Sequence, residues 1–161
     1  MTHEALAFEK SKAVTYKKID VSSAAFKENH FIPRQYTCEG ININPSLNFL
    51  HIPKEAQSLA IIAEDPDAPS GTWVHWLMWN IPVIHHLKEN SSPGIQGMND
   101  FSKHIYCGPC PPKGTHRYFF KIYALDCILD LPVSSNKIHL EKAMSGHIIG
   151  FGELIGLYKR K

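Results

Sequence analysis

The sequence predicts a mainly β protein with one or two short helices, built as an antiparallel sheet or sandwich whose loops cluster at one end. Three observations predict this class. At least six segments are strand-like, long connections rich in proline, glycine and asparagine separate them, and strands do not alternate with helices. The 161 residues have the usual size of a single domain, with residues 1–12 as a loosely ordered lead-in.

The predicted strands are short apolar or aromatic runs bounded by turn residues. They cover 16–22, 47–49, 58–64, 74–81, 117–125 and 153–160. The segments 27–46 and 85–104 are long ordered loops, of which the first holds at most one short strand. In the strand 74–81, both alternating faces are mostly apolar, so both are expected to be covered.

Strict alternation along that strand places Trp76 with Met78 on one face and His75 with Leu77 on the other. The helix is expected over 137–145. Ser134, Ser135 and Asn136 are its candidate N-caps, and Gly146 is its expected C′ residue.

Composition excludes several classes of protein. Hydrophobic residues make up 43% and charged residues 20%, which argues against disorder, and a formal net charge of +2 gives no basis for nucleic-acid binding. The longest apolar runs have about five residues, whereas a membrane helix needs about 20. Because no secretory leader is visible, we expect a cytoplasmic protein whose thiols are free. The four cysteines are Cys38, Cys107, Cys110 and Cys127.

The segment Cys107-Gly108-Pro109-Cys110 has the spacing of a thioredoxin-type dithiol. Such a site needs a helix at its second cysteine, and the prolines at 111 and 112 prevent one. A rigid turn that holds two thiols is the preferred interpretation, and a dithiol oxidoreductase is the alternative. No second ligand pair completes a zinc site, so neither metal nor cofactor is predicted.

Four titratable residues could carry chemistry together. His75 and His116 each begin a predicted strand after a turn, and His116 and Tyr118 share a strand face about 7 Å apart. Asp65 ends a buried strand, where its carboxylate either caps the following turn or points into a cleft. A hydrolase that uses Asp65, His75 and His116 is an alternative, although no nucleophile motif accompanies them.

Four segments together form a specific pattern. They are Asp65-Pro-Asp-Ala-Pro69, Gly71-Thr-Trp-Val-His-Trp76, Gly108-Pro-Cys-Pro-Pro-Lys-Gly114 and His116-Arg-Tyr118. This pattern closely resembles the phosphatidylethanolamine-binding protein family, and within it the bacterial and archaeal branch called Raf-kinase-inhibitor-like proteins. The resemblance extends over roughly residues 18–160.

The resemblance implies a Greek-key β-sandwich with a small pocket for an anion or phosphate head group. By position, the ligand-binding residues would be Asp65, Trp73, His75, Gly108, Cys110, His116 and Tyr118, with Pro69 and Pro111 as wall and turn residues. The implied function is non-catalytic binding of a phospholipid head group, a nucleotide or a phosphorylated side chain. The alternative is inhibition of a kinase or a serine protease through the same face, and a homodimer is left open.

The chemistry of such a pocket is plausible from the residues themselves. The Cys110 N–H and the Tyr118 hydroxyl can donate to an anion, and Asp65 can orient a histidine or accept an ammonium group. Two imidazoles near an acid predict phosphate binding that weakens above about pH 7. The loop 113–116 is shorter than the family loop often is. In the eukaryotic branch of the family, a C-terminal helix covers part of the pocket. Here the last predicted strand ends close to Lys161, so we expect a pocket that is open or covered by a partner chain.

Overall fold

Ten strands and one α-helix form within residues 16–161, which are the residues that this computed structural model describes. The lead-in predicted over 1–12 lies outside the described residues. The strands are β1 (Lys17–Lys18), β2 (Asp20–Ser22), β3 (His30–Phe31), β4 (Leu47–Leu50), β5 (Ser58–Asp65), β6 (Trp73–Ile81), β7 (His86–Leu87), β8 (Ile95–Gln96), β9 (His116–Leu125) and β10 (Ile148–Tyr158). The α-helix, α1, spans Lys137–Met144, and a short 3₁₀ helix spans Arg34–Tyr36. No helix of the described residues is long and apolar enough to cross a membrane.

The strands form two sheets. The first has seven strands in the order β1-β10-β9-β5-β6-β8, with β3 also paired to β10, and the second has the order β2-β4-β7. The prediction of a mainly β fold is confirmed, but the larger sheet is mixed because β1 and β3 run parallel to β10. These short strands occupy the edge of β10 that β9 leaves open, so two parallel pairings interrupt an otherwise antiparallel arrangement.

Two apolar clusters cover the two faces of the larger sheet. One cluster joins Leu47 and Phe49 of the smaller sheet to Ile61 and Phe120 of the larger, which is compatible with the predicted sandwich. The other lies beneath α1 and includes Leu140 of that helix. The central strands β5, β6 and β9 are therefore covered on both faces, which the apolar pattern of residues 74–81 predicts for β6.

The helix α1 forms where its capping residues predict it. The Asn136 side chain accepts from the His139 backbone N–H, and the His139 ring accepts from the Asn136 N–H. Leu140 and Met144 face the sheet, and Gly146 follows the helix with a φ of 84°.

Strand β10 begins at Ile148, five residues before the predicted start, in a stretch that contains glycines. Gly152 shows why a glycine is needed within this strand. A Cβ built on Gly152 would lie 2.0 Å from the Ile19 carbonyl oxygen, so any side chain there would clash with the backbone between β1 and β2.

Strand β6 departs from the predicted alternation at two irregularities in its pairing with β5. Opposite β6, the register shifts once between Ala63 and Glu64 and once between Leu59 and Ile61. Val74 and Leu77 consequently face the same cluster, although their spacing of three would place them on opposite faces of a regular strand. The sequence could not reveal the first shift, which brings His75 to the face that carries Tyr118.

Candidate ligand-binding cavity

The ends of three central strands meet at one edge of the larger sheet. Because β5 is antiparallel to both β6 and β9, the end of β5 lies beside the starts of the other two. This arrangement brings together Asp65 from β5, His75 from β6, and His116 and Tyr118 from β9. Residues 51 positions apart thus become direct neighbours, as the His116–Asp65 contact shows.

A cavity of about 340 Å³ opens at this edge. Seven of the nine predicted binding residues line it, together with four that the sequence analysis did not select. The predicted seven are Asp65, Pro69, Trp73, His75, Cys110, His116 and Tyr118, and the others are Ala68, Ser70, Phe101 and Pro112. Gly108 and Pro111 do not line the cavity. Pro111 is buried, and its exposed neighbour Pro112 forms that part of the wall.

The Asp65 carboxylate has both of the roles that the sequence analysis treated as alternatives. One oxygen accepts from the Asp67 backbone N–H at 2.8 Å, which fixes the following turn. The other lies 2.6 Å from Nδ1 of His116 in the wall of the cavity. The carboxylate therefore orients one imidazole of the pair.

His75 is held differently. Its Nδ1 lies 2.6 Å from the Cys107 carbonyl oxygen, and because that oxygen can only accept, Nδ1 carries a proton. Burial lowers the pKa of His75, against the opposing effects of the Cys107 carbonyl and the Asp65 carboxylate. At neutral pH this imidazole is therefore neutral, and its Nε2 is an acceptor.

The Tyr118 hydroxyl is the least satisfied polar group of the cavity. It is buried, and no atom of the described residues forms a hydrogen bond of ordinary geometry with it. Burial and the neighbouring Asp65 carboxylate raise the pKa of Tyr118, whereas the Cys110 backbone opposes that shift. Two donors, the Tyr118 hydroxyl and the Cys110 N–H, thus lie side by side at the cavity wall.

Aromatic rings form the apolar part of the wall. The His75 ring lies edge to face with both Tyr118 and Phe101, at centroid distances of 5.3 and 5.2 Å. Phe101 also packs against Trp73, at 5.6 Å. Phe101 was not among the predicted site residues, since it lies in the polar segment 85–104 with no motif around it.

Asn99 holds that segment against β6. Its buried amide donates to the carbonyl oxygens of His75 and Ile105, and its side-chain oxygen accepts from the Phe101 N–H. These hydrogen bonds position Phe101 over the cavity. The sequence gives no sign of this role, because the fold alone buries this one asparagine of a polar segment.

A disulfide joins Cys38 to Cys110, so the prediction of four free thiols is wrong for this pair. Cys107 and Cys127 are free. The paired cysteines are 72 positions apart, and nothing in their local sequence indicated that their loops meet. Cys110 is consequently not available for a dithiol with Cys107, and residues 107–115 contain no helix, which removes the basis of the thioredoxin-type alternative.

Gly108 contributes to the packing of this loop and does not line the cavity. Its N–H donates to the Asn42 side chain, and a Cβ on it would lie 2.1 Å from the Tyr36 carbonyl oxygen. Tyr106 donates to that same carbonyl. Together with the disulfide, these contacts fix the segment that carries the Cys110 N–H.

The fold and the cavity first define a structural class. It comprises mainly β domains in which histidine, tyrosine and aspartate side chains line a small cavity at the ends of the central strands. The comparisons with known proteins then identify the family. The sequence model described as phosphatidylethanolamine-binding protein matches residues 22–159.

Relatives and solved structures agree with that match. A UPF0098 protein of Pyrococcus abyssi is 49% identical over an alignment of 150 residues, and the match covers 86% of this chain and 84% of the relative. A crystal structure of a phosphatidylethanolamine-binding protein homologue, CT736 of Chlamydia trachomatis, has a TM-score of 0.86 and 40% identity, covering 90% of this chain and 99% of that one. E. coli YbcL, described as a member of the mammalian family, has a TM-score of 0.80 and 31% identity, covering 89% and 99%. The chain belongs to the phosphatidylethanolamine-binding protein family, which confirms the resemblance found in the sequence.

Proposed function

We propose that the cavity binds the phosphate group of a small molecule or of a phosphorylated side chain, and that it does so without catalysis. The observation that supports this most is the buried Tyr118 hydroxyl, which lines the cavity close to the Cys110 backbone and forms no hydrogen bond of ordinary geometry with any described residue. A hydrogen bond to a charged group contributes about 1.5 to 3 kcal/mol, so a phosphate oxygen that accepts from this hydroxyl is favoured.

The neighbouring groups set the chemistry of the ligand. The Cys110 N–H and the Tyr118 hydroxyl donate to phosphate oxygens. Neutral His75 offers an acceptor nitrogen at neutral pH, which suits the hydroxyl of a protonated phosphate or an ammonium group. The aromatic wall of Trp73 and Phe101 suits an apolar portion beside the phosphate.

The absence of catalysis stays a prediction. Asp65 orients His116 as in a hydrolase, although among the described residues no hydroxyl or thiol hydrogen-bonds to that imidazole. A panel of phosphate and carboxylate esters tests this part of the proposal, since turnover that His116→Ala abolishes would contradict it.

Tyr118→Phe is expected to weaken phosphate binding by about tenfold or more, because it removes one hydrogen bond to a charged group and leaves the ring in place. Isothermal titration calorimetry with inorganic phosphate and with phosphoethanolamine measures the effect.

The matched control is Tyr123→Phe. Tyr123 lies on the same strand and also has a buried hydroxyl without a partner among the described residues, but it faces the cluster beneath α1. Its variant is expected to bind as the wild type does. Equal affinities in the wild type and in Tyr118→Phe would contradict the proposal.

Sulfate binding is expected to tighten as the pH falls below about 6.5, because a bound dianion favours the charged form of His75. The groups facing this imidazole are Asp65, Asp100, Tyr118 and the Cys107 carbonyl. The loss of binding predicted above about pH 7 thus moves to lower pH, since burial lowers the pKa of His75. One proton changes the affinity at most about tenfold per pH unit.

The stability of the free protein is expected to change with pH in the opposite direction. Burial lowers the pKa of His75 in the folded protein, so the free energy of unfolding decreases as the pH falls from about 6.5 toward that pKa, because the unfolded chain binds the proton first.

Sulfate titrations from about pH 5 to about pH 8, where the charge of sulfate is constant, measure the binding. His75→Gln should flatten the dependence of sulfate affinity on pH, and a wild-type affinity that is already independent of pH would overturn the assignment.

The alternative, inhibition of a kinase or a serine protease through this face, stays a prediction that inhibition assays on purified enzymes can test. A cytoplasmic location also stays a prediction. The Cys38–Cys110 disulfide weighs against it, because disulfides persist mainly in oxidising compartments and in intracellular proteins of hyperthermophiles.

A further inference from the structure

Three side chains with metal-binding donor atoms meet at the opposite end of the β9–β10 pair. Asp126 and Cys127 directly follow β9, and His147 directly precedes β10. A carboxylate oxygen, the Cys127 sulfur and a ring nitrogen of His147 all lie within 4.8 Å of one another. The ten residues of β9 separate this cluster from His116 by about 30 Å, so it is independent of the cavity.

Strand pairing fixes the backbone beneath these side chains. Leu125 pairs with Ile148, and the next residue outward, Asp126, donates its N–H to the His147 carbonyl oxygen at 3.0 Å. The Cys127 carbonyl oxygen accepts from the Ser58 hydroxyl at 2.7 Å. The three donor residues are therefore held together by the sheet and do not depend on a flexible loop.

The cluster is open to solvent on one side. The side chains of His147 and Asp126 are 46% and 44% exposed, and Nδ1 of His147 lies 2.8 Å from Oδ1 of Asp126. Cys127 is half-buried against the cluster beneath α1. An ion can thus reach the donors from solvent, while the protein supplies the other side of the site.

We propose that Asp126, Cys127 and His147 bind a divalent transition-metal ion such as Zn²⁺, with water as the fourth ligand. Thiolate, imidazole and carboxylate together are a donor set that zinc uses, whereas calcium and magnesium prefer oxygen alone. In a tetrahedral zinc site, neighbouring donor atoms are about 3.4 to 3.6 Å apart, so small side-chain rotations suffice. On binding, the Cys127 thiol loses its proton to solvent as the metal–sulfur bond forms. The His147 nitrogen that binds must be unprotonated, so coordination by Nδ1 moves the proton that it shares with Asp126 through solvent to Nε2.

The sequence did not reveal this site because its spacing fits no zinc motif. Cys127 is isolated from the other cysteines in the sequence. His147 follows it by twenty positions, and the two residues meet only because the segment that contains α1 returns the chain from β9 to β10. Cys127 is not part of the Cys38–Cys110 disulfide, so its sulfur is available to bind a metal ion.

Titration of the native full-length protein with Co²⁺, followed by absorption spectroscopy, tests the proposal. We expect a thiolate-to-cobalt charge-transfer band that saturates at one equivalent. Cys127→Ser should abolish the band and weaken zinc binding by about tenfold or more. The matched control is His51→Gln, which alters an exposed His–Asp pair with no cysteine, and it should leave the band unchanged.

A second measurement uses the wild-type protein, so it does not depend on whether a variant folds. Zn²⁺ should slow the alkylation of Cys127 by iodoacetamide in the wild-type protein, as measured by mass spectrometry, and Mg²⁺ should not. The proposal is overturned if excess Co²⁺ gives no charge-transfer band, if Cys127→Ser keeps the wild-type band, or if Zn²⁺ leaves the alkylation rate unchanged.

Discussion

Removal of the Cys38–Cys110 disulfide is expected to lower the free energy of unfolding by about 4 kcal/mol. The two cysteines are 72 positions apart, so breaking their bond frees a long loop in the unfolded chain and raises its conformational entropy. The disulfide also fixes the segment that presents the Cys110 N–H at the cavity, so phosphate affinity should fall together with stability.

Chemical denaturation of Cys38→Ser/Cys110→Ser, compared with the oxidised wild type, measures this effect. The control is a reductant, which should destabilise the wild type to the same extent and leave the double variant unchanged. Equal stabilities for the variant and the oxidised wild type would show that the crosslink does not form in the folded protein.

Asp65→Ala is expected to lower the free energy of unfolding by about 3 kcal/mol. The Asp65 carboxylate satisfies two donors, the His116 ring and the Asp67 N–H, and its side chain is only 4% exposed. Without it, the His116 ring, which is 8% exposed, and the Asp67 N–H both lose their acceptor.

The chain contains a matched control for this variant. Asp20 and His51 form a pair with the same 2.6 Å separation, but their side chains are 49% and 72% exposed. Asp20→Ala should therefore cost less than about 1 kcal/mol. Thermal and chemical unfolding of both variants measure the difference, and similar losses would contradict the role assigned to burial.

Much of the fold could be predicted from local sequence because its elements carry their own signals. The apolar run at 58–64, the aromatic run at 117–125 and the Asn136 cap each formed close to their predicted bounds. The two-residue strands could not be predicted, since β7 and β8 are defined by the partners they pair with and have no pattern of their own.

The site was predictable only in part, and for a similar reason. Its titratable residues stand at strand ends next to turns, so their position could be inferred from sequence. The orientation of the His75 side chain toward Tyr118 could not be inferred from the sequence. A shift in the register between β5 and β6 produces it, whereas strict alternation predicts the opposite face.

The disulfide and the separate cluster at Cys127 were missed because both join residues that are far apart in the chain. Cys38 and Cys110 meet only through the packing of two loops, and Cys127 meets His147 only through strand pairing. In each case the local sequence gives the residue type but not the partner.

Whether the cavity binds an anion is decided by a crystal structure of the wild-type protein grown with phosphate. We expect a phosphate in the cavity, with oxygens about 3 Å from both the Tyr118 hydroxyl and the Cys110 N–H. A structure in which phosphate occupies only surface positions, while the Tyr118 hydroxyl remains without a partner, would contradict it.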